Sequence, residues 1–328
     1  MKLSIGKLLA TGTVAALTVM AHAAPTKARD YRLGTIVPAG HLWNQAAQRM
    51  NEALSERSGG EDGVSVFPAG QLGDESQMVQ QLQTGALDMA FLTIADVTNR
   101  VPDFGALYAP FLVEDVAGAN KVLASEPAQA LLGRLPKEMG VVGIDYGIAT
   151  MRQIMTNFPV DDISDLAGRK MRITPFKPFR DFYNILGIAP TPMPLPEVYD
   201  ALANGQVDAM DIDPELILNF KFYERADHLL LTNHSMFPMV GLVSGRVWAS
   251  LSDDEKQRLR ETMREQLAWV RQQYEEQEPQ MIEKIRATGI EVKSADQSFF
   301  PGVVAKWEEI WSDQKPLTDE LRAVAASQ

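Results

Sequence analysis

VQQLQTGALDMAF, residues 79–91, and YDALANGQVDAMD, residues 199–211, share one local pattern. Each places a leucine three residues before a glycine, Leu82 with Gly85 and Leu202 with Gly205. Each then continues Gly-x-aliphatic-Asp, through Leu87-Asp88 and Val207-Asp208. Glycine adopts the left-handed backbone that ends a helix without steric cost. Each copy therefore predicts a helix stopped at its glycine and followed at once by a buried strand. Chance recurrence of helix–glycine–strand is the competing explanation for so short a match. The pattern predicts two α/β lobes of similar construction. In open α/β sheets ligands bind beyond the carboxyl ends of the strands. That rule puts residues 92–95 and residues 211–213 on opposite walls of a cleft, with Thr93, Asp211 and Asp213 among them.

Around this pair the periodicity is consistent with α/β architecture. YRLGTIV, residues 31–37, predicts the first strand, and apolar spacing from Trp43 to Leu54 predicts a helix over 42–56. VSVF predicts a second strand, and Asp74 and Gly85 bracket the helix of the first copy as N-cap and C-terminal stop. AGRKMRITPF, residues 167–176, predicts a strand with Arg172 near its carboxyl end, a TPF loop, then a helix over 179–186. Arg152 lies in a second apolar, strand-like stretch, GIATMRQIMTN. The C-terminal part reads as helical. Ser252 and Glu255 have capping-box spacing, and Leu259, Met263, Leu267, Val270 and Tyr274 form one apolar stripe. Proline disfavours a helix interior, so this helix is expected to end near Glu278, before Pro279. Trp307 and Trp311 are expected to pack in a later helix.

The 328 residues suffice for two domains, and 45% hydrophobic with 23% charged residues is globular composition. Lys2 and Lys7 precede an uncharged apolar stretch, residues 8–20, and MAHAAP offers small residues at Ala21 and Ala23. This predicts an export signal cleaved after Ala23, in preference to an N-terminal core helix. The formal charge of −12 would become −14 on loss of the two lysines. An acidic chain argues against nucleic-acid binding, which relies on basic patches. The absence of cysteine excludes disulfides, a lipoprotein anchor and a thiol nucleophile. There is no G-x-S-x-G, G-x-G-x-x-G or P-loop, and His228 and His234 are badly spaced as a helical metal pair. No catalytic, cofactor or metal site is predicted.

Arg172 and Arg152 are the informative residues. A guanidinium is a rigid fork of donors that matches a carboxylate, and it is costly to bury without an anion. Each should meet either a protein carboxylate, with Asp211 and Asp145 as candidates, or a ligand.

FPAGQLGDESQMVQQLQTGALDMAF, DISDLAGRKMRI, PTPMPLPEVYDALANGQVDAMD and KFYERADHLLLTNH, in this order, resemble the solute-binding proteins of TRAP (tripartite ATP-independent periplasmic) transporters, DctP-like. The resemblance covers nearly the whole chain after residue 23. It implies a two-lobed α/β periplasmic binding protein with a ligand cleft between the lobes and a long C-terminal helical segment, and no enzyme activity. Residues 24–149 would form lobe I and 150–239 lobe II. Residues 240–328 would supply a return strand and helices bracing both lobes. Such a receptor takes a small organic acid and delivers it to membrane permease subunits. A monomer is expected, with a dimer as the alternative. The resemblance implies Arg172 as the carboxylate-binding arginine, Arg152 in or near the cleft, and polar contacts from Asp211 and Asp213. His41 and Trp43 follow the first strand, where such receptors line the cleft. Phe176 and Phe237, the latter in SMFPMVG, suggest an apolar wall. One departure stands out: Ile212 replaces the asparagine that often supports the carboxylate, and isoleucine cannot donate a hydrogen bond. Two other readings stay open: a zwitterion receptor with Asp211 facing the cation, and an exported acid/base enzyme using the Asp211–Asp213 cluster.

Overall fold

A computed structural model describes residues 28–327. The expected signal, residues 1–23, lies outside the described residues. The chain begins with β1 (Arg29–Thr35), α1 (Leu42–Arg57), β2 (Asp62–Phe67), α2 (Glu75–Thr84) and β3 (Met89–Thr93). Smaller helices lead to β4 (Val141–Met151), followed after one residue by β5 (Gln153–Thr156). A second unit then repeats the first: β6 (Lys170–Ile173), α3 (Lys177–Ile185), β7 (Ala189–Pro192), α4 (Val198–Ala203) and β8 (Ala209–Ile212). The helix α5 (Pro214–Asn219) precedes β9 (His228–Leu231) and β10 (Met236–Ser244). The chain ends with α6 (Asp253–Arg286), β11 (Glu291–Ser294), α7 (Val303–Ile310) and α8 (Lys315–Ala326).

Two sheets result, ordered β2-β1-β3-β10-β4 and β11-β9-β5-β8-β6-β7. Within them β2-β1-β3 and β7-β6-β8 are parallel triplets of the same order, so the repeated sequence pattern marks equivalent units. Local chemistry explains the match. Asp74 closes a capping box with Gln77, and Gly85 and Gly205 adopt φ of 80° and 65° where their helices end.

The chain crosses between the sheets at three places. One is Arg152, between β4 and β5. The second is the segment 232–235, between β9 and β10. These two run side by side, with the Arg152 N–H donating to the Ser235 carbonyl at 2.8 Å. Each carries a non-glycine residue at positive φ, Thr150 at 68° and Asn233 at 44°. For β-branched Thr150 this is strained backbone, of the kind found at hinges and functional sites. The third is α6, which packs on β4 and α1 of one lobe and on α5 of the other. Its stripe from Leu259 to Tyr274 is buried, contributing about 1.5–3 kcal/mol per large apolar side chain. The helix continues through Pro279 to Arg286, against the expected stop. Pro279 costs its turn a hydrogen bond, but Met281 and Ile285 beyond it are buried and hold the helix together.

Candidate functional site: an acid-binding cleft

The carboxyl ends of the parallel strands of both lobes face one cavity of about 450 Å³. Thr93 ends the strand of one lobe, with Ala95 in the helix that follows, and Arg172 and Thr174 lie at and just past the end of the strand of the other. Trp43, Phe237 and the Pro194-Leu195-Pro196 turn provide apolar wall. Six of the eight residues expected from sequence line it: Arg172, Arg152, Thr93, Asp213, His41 and Phe237. Asp211 and Phe176 do not.

Asp211 lies behind the wall because of the sheet register. It stands opposite Ile154 on β5, two residues past the crossing, where Arg152 reaches it. Arg152 Nε donates to Asp211 Oδ1 at 2.5 Å and Nη1 to Asp213 Oδ2 at 3.0 Å. Its Nη2 donates to the Asp211 carbonyl at 2.6 Å. Asp211 Oδ2 accepts from Tyr183 Oη at 2.8 Å and lies 2.9 Å from His234 Nε2. Burial works against the charged Asp211, but Arg152, His234 and Tyr183 outweigh it and hold its pKa below the ordinary value. Burial raises Asp213 to about 6 despite Arg152, so both carboxyls are charged at neutral pH. Asp213 also caps α5 by accepting from the Leu216 N–H at 3.0 Å. The guanidinium of Arg152 lies 4.3 Å over the Phe237 ring. Asp145, the other candidate partner, sits instead near Arg271, with Gln129 donating to it.

Arg172 differs. It is 2% exposed, and no carboxylate among the described residues lies within ion-pair distance of it. Its Nε and Nη2 donate to the Met193 carbonyl at 3.1 and 2.9 Å, and Nη1 to the Asp211 carbonyl at 3.2 Å. These bonds clamp the fork and leave donor hydrogens over. Burial, then the neighbouring Arg152, lowers Arg172 to about 9, which keeps it charged at neutral pH. Ile212, standing where the resemblance would give an asparagine that supports the carboxylate, is buried in the apolar core of the second lobe and does not line the cavity.

Phe176 packs into an aromatic cluster, 4.5 Å from Tyr108 and 4.6 Å from Phe179 between ring centres, and so serves as core. His41 is the N-cap of α1 and accepts from the Trp43 N–H through Nδ1. Its Nε2 lies 3.0 Å from Glu215 Oε2, joining the two lobes, and Glu215 also accepts from the Leu42 N–H and Tyr274 Oη. Burial drives both partners toward neutrality, His41 down to about 3 and Glu215 up to about 7.

Glu75 went unnoticed in the sequence, where it reads as an ordinary acidic residue in a first helical turn. It lines the cavity and accepts from Thr93 N at 2.6 Å and Thr93 Oγ1 at 2.9 Å. Burial raises it to about 8 against those two bonds, so at neutral pH the protonated acid, a hydrogen-bond donor, predominates. Its placement at the start of a helix that follows a strand's carboxyl end was the available signal.

Two matched α/β lobes, joined by crossing strands around a cavity with one arginine that no carboxylate among the described residues meets, give the architecture of a solute-binding protein. The chain belongs to the DctP family, bacterial extracellular solute-binding protein family 7, whose model matches residues 33–314. TRAP solute-binding proteins of this kind bind small acids and work with membrane permeases. The chain is 26% identical over 314 residues to the sialic acid-binding periplasmic protein SiaP of Vibrio cholerae, covering 95% of this chain and 98% of SiaP. Among solved structures, it resembles a TRAP periplasmic solute-binding protein from a Bradyrhizobium species in complex with D-galacturonate. That likeness has a TM-score of 0.85 and 30% identity, over 90% of this chain and 100% of the other. A second, from Xanthobacter autotrophicus with bound β-D-galacturonate, has a TM-score of 0.85 and 28% identity, over 91% and 100%. No helix among the described residues is long and apolar enough to cross a membrane.

Proposed function

We propose that this chain is an exported periplasmic receptor that closes on a hydroxylated organic acid of sugar-acid size, held by Arg172, and passes it to a TRAP permease. The observation that carries this is Arg172: a buried, charged guanidinium whose only protein acceptors among the described residues are carbonyls. A ligand carboxylate would complete it. Thr93 and Glu75 stand across the cavity as partners for ligand hydroxyls. Residues 1–23 serve as the export signal, cut after Ala23, and the single chain acts as a monomer. The zwitterion reading is weakened because the Asp211 carboxylate is occupied by Arg152, Tyr183 and His234 and does not face the cavity.

Ligand binding raises apparent stability by mass action. Melting is therefore followed with D-galacturonate, D-glucuronate, D-galactonate and pantoate, alongside uncharged D-galactose and galactitol. One or more acids should raise the melting temperature while both uncharged compounds leave it unchanged. Equal shifts from acids and uncharged sugars, or none from any acid, would defeat the reading.

A further inference from the structure

The charges around the cavity do not match its two arginines. Among the described residues, Arg152 and Arg172 are the only cationic side chains that line it. Arg152 is already committed, with Asp211 on Nε and Asp213 on Nη1, all three residues at most 1% exposed. The remaining charged lining groups are acidic, Asp74, Asp96 and Glu197 beside Asp213, while His41 and Glu75 are held neutral. Asp96 is paired with Arg100. Asp211 and Asp213 together thus more than offset Arg152, and Arg172 is the one lining arginine that no carboxylate among the described residues meets. A second ligand carboxylate would be desolvated with no cation free to meet it and acidic groups nearby, which is strongly unfavourable.

We propose that Asp211 and Asp213 set the charge of the ligand. By neutralising Arg152 they leave one carboxylate-binding cation, so the receptor takes monocarboxylates and rejects dicarboxylates of the same skeleton. Asp213 is the more direct determinant, because it and Arg152 both line the cavity while Asp211 acts from behind. This rests on the reading of the cavity as an acid receptor. It separates the chain from relatives such as the C4-dicarboxylate-binding periplasmic protein DctP of Rhodobacter capsulatus, 26% identical over 282 residues.

The test uses matched pairs that differ by one carboxylate: D-galactonate with D-galactarate, D-gluconate with D-glucarate, and 2-hydroxybutyrate with malate. Affinities are measured by calorimetry on the full mature protein at pH 7.5 and fixed salt. In the pairs that bind, the monoacid should be preferred by at least about a hundredfold, that is about 2.7 kcal/mol. Asp213→Asn removes one negative charge from Arg152 while asparagine can still cap α5. In this variant the preference should shrink by about tenfold or more, mainly through tighter diacid binding. A diacid that binds wild-type protein as tightly as its monoacid overturns the inference and leaves the acid-receptor reading standing. Failure of every acid in the panel overturns both. A folded Asp213→Asn protein with unchanged preference removes Asp213 as the determinant, and the same result for Asp211→Asn removes the proposal. If a variant melts far below wild type, the wild-type pairs still decide the charge rule.

Discussion

Removing the Asp211 carboxylate should be expensive although Asp211 does not line the cavity between the lobes. In Asp211→Ala, Arg152 loses the 2.5 Å partner of its Nε, and Tyr183 Oη loses its 2.8 Å acceptor, all within a fully buried crossing. Breaking a buried ion pair by deleting one member costs about 3–5 kcal/mol. Asp213, still 3.0 Å from Nη1, keeps part of the compensation, so the lower end, about 3 kcal/mol, is expected. With an m-value on the order of 3 kcal/mol per molar urea, the midpoint should fall by about 1 M. The assay is urea unfolding followed by tryptophan fluorescence and by far-UV circular dichroism. Adding Arg152→Ala to Asp211→Ala should give a protein more stable than the sum of the two single losses by about 2 kcal/mol, because the loss of the Arg152–Asp211 pair is counted in both single variants and only once in the double. A loss below about 1 kcal/mol for Asp211→Ala, or strict additivity in the double variant, would refute the reasoning.

Glu75 predicts a pH effect of definite sign. Its pKa is raised from 4.5 to about 8 on folding, so the folded state holds the proton more tightly than the unfolded. The group then lowers stability progressively as pH rises from about 4.5 to about 8, and not below that window. Glu75→Gln should therefore stabilise more at pH 9 than at pH 4.5, and equal urea-midpoint shifts at the two pH values would count against it. Pro279 is exposed inside α6, where alanine is favoured by up to about 3 kcal/mol in an unstrained helix. Pro279→Ala should raise the melting temperature, and a lower one would mean that the proline shapes the α6 contact between lobes.

Features set by neighbouring residues were legible in the sequence. The Asp74 cap, the Ser252–Glu255 box and the Gly85 and Gly205 stops depend on spacing within one turn, and the structure has all of them. The lobe repeat was legible for the same reason. Partnerships across strands were not. That Asp211 belongs to Arg152, not Arg172, follows from the pairing of Ile154 with Asp211 and from the one-residue gap between β4 and β5, neither of which sequence spacing encodes. Phe176 and Phe237 looked alike as apolar residues near the cleft, and in the structure both pack against Tyr108 and Phe179, yet only Phe237 lines the cavity. The stop expected at Pro279 failed because local propensity was outweighed by the burial of Met281 and Ile285.

The central claim is that Arg172 is the cation awaiting the ligand's carboxylate. Titration calorimetry of wild type and Arg172→Ala, with whichever acid gives the largest melting shift, tests it most directly. Deleting one member of a buried charge pair costs about 3 kcal/mol or more, which predicts an affinity loss of at least about a hundredfold. The unliganded variant should still unfold cooperatively. An Arg172→Ala protein that binds the acid within a few-fold of wild type would contradict the account.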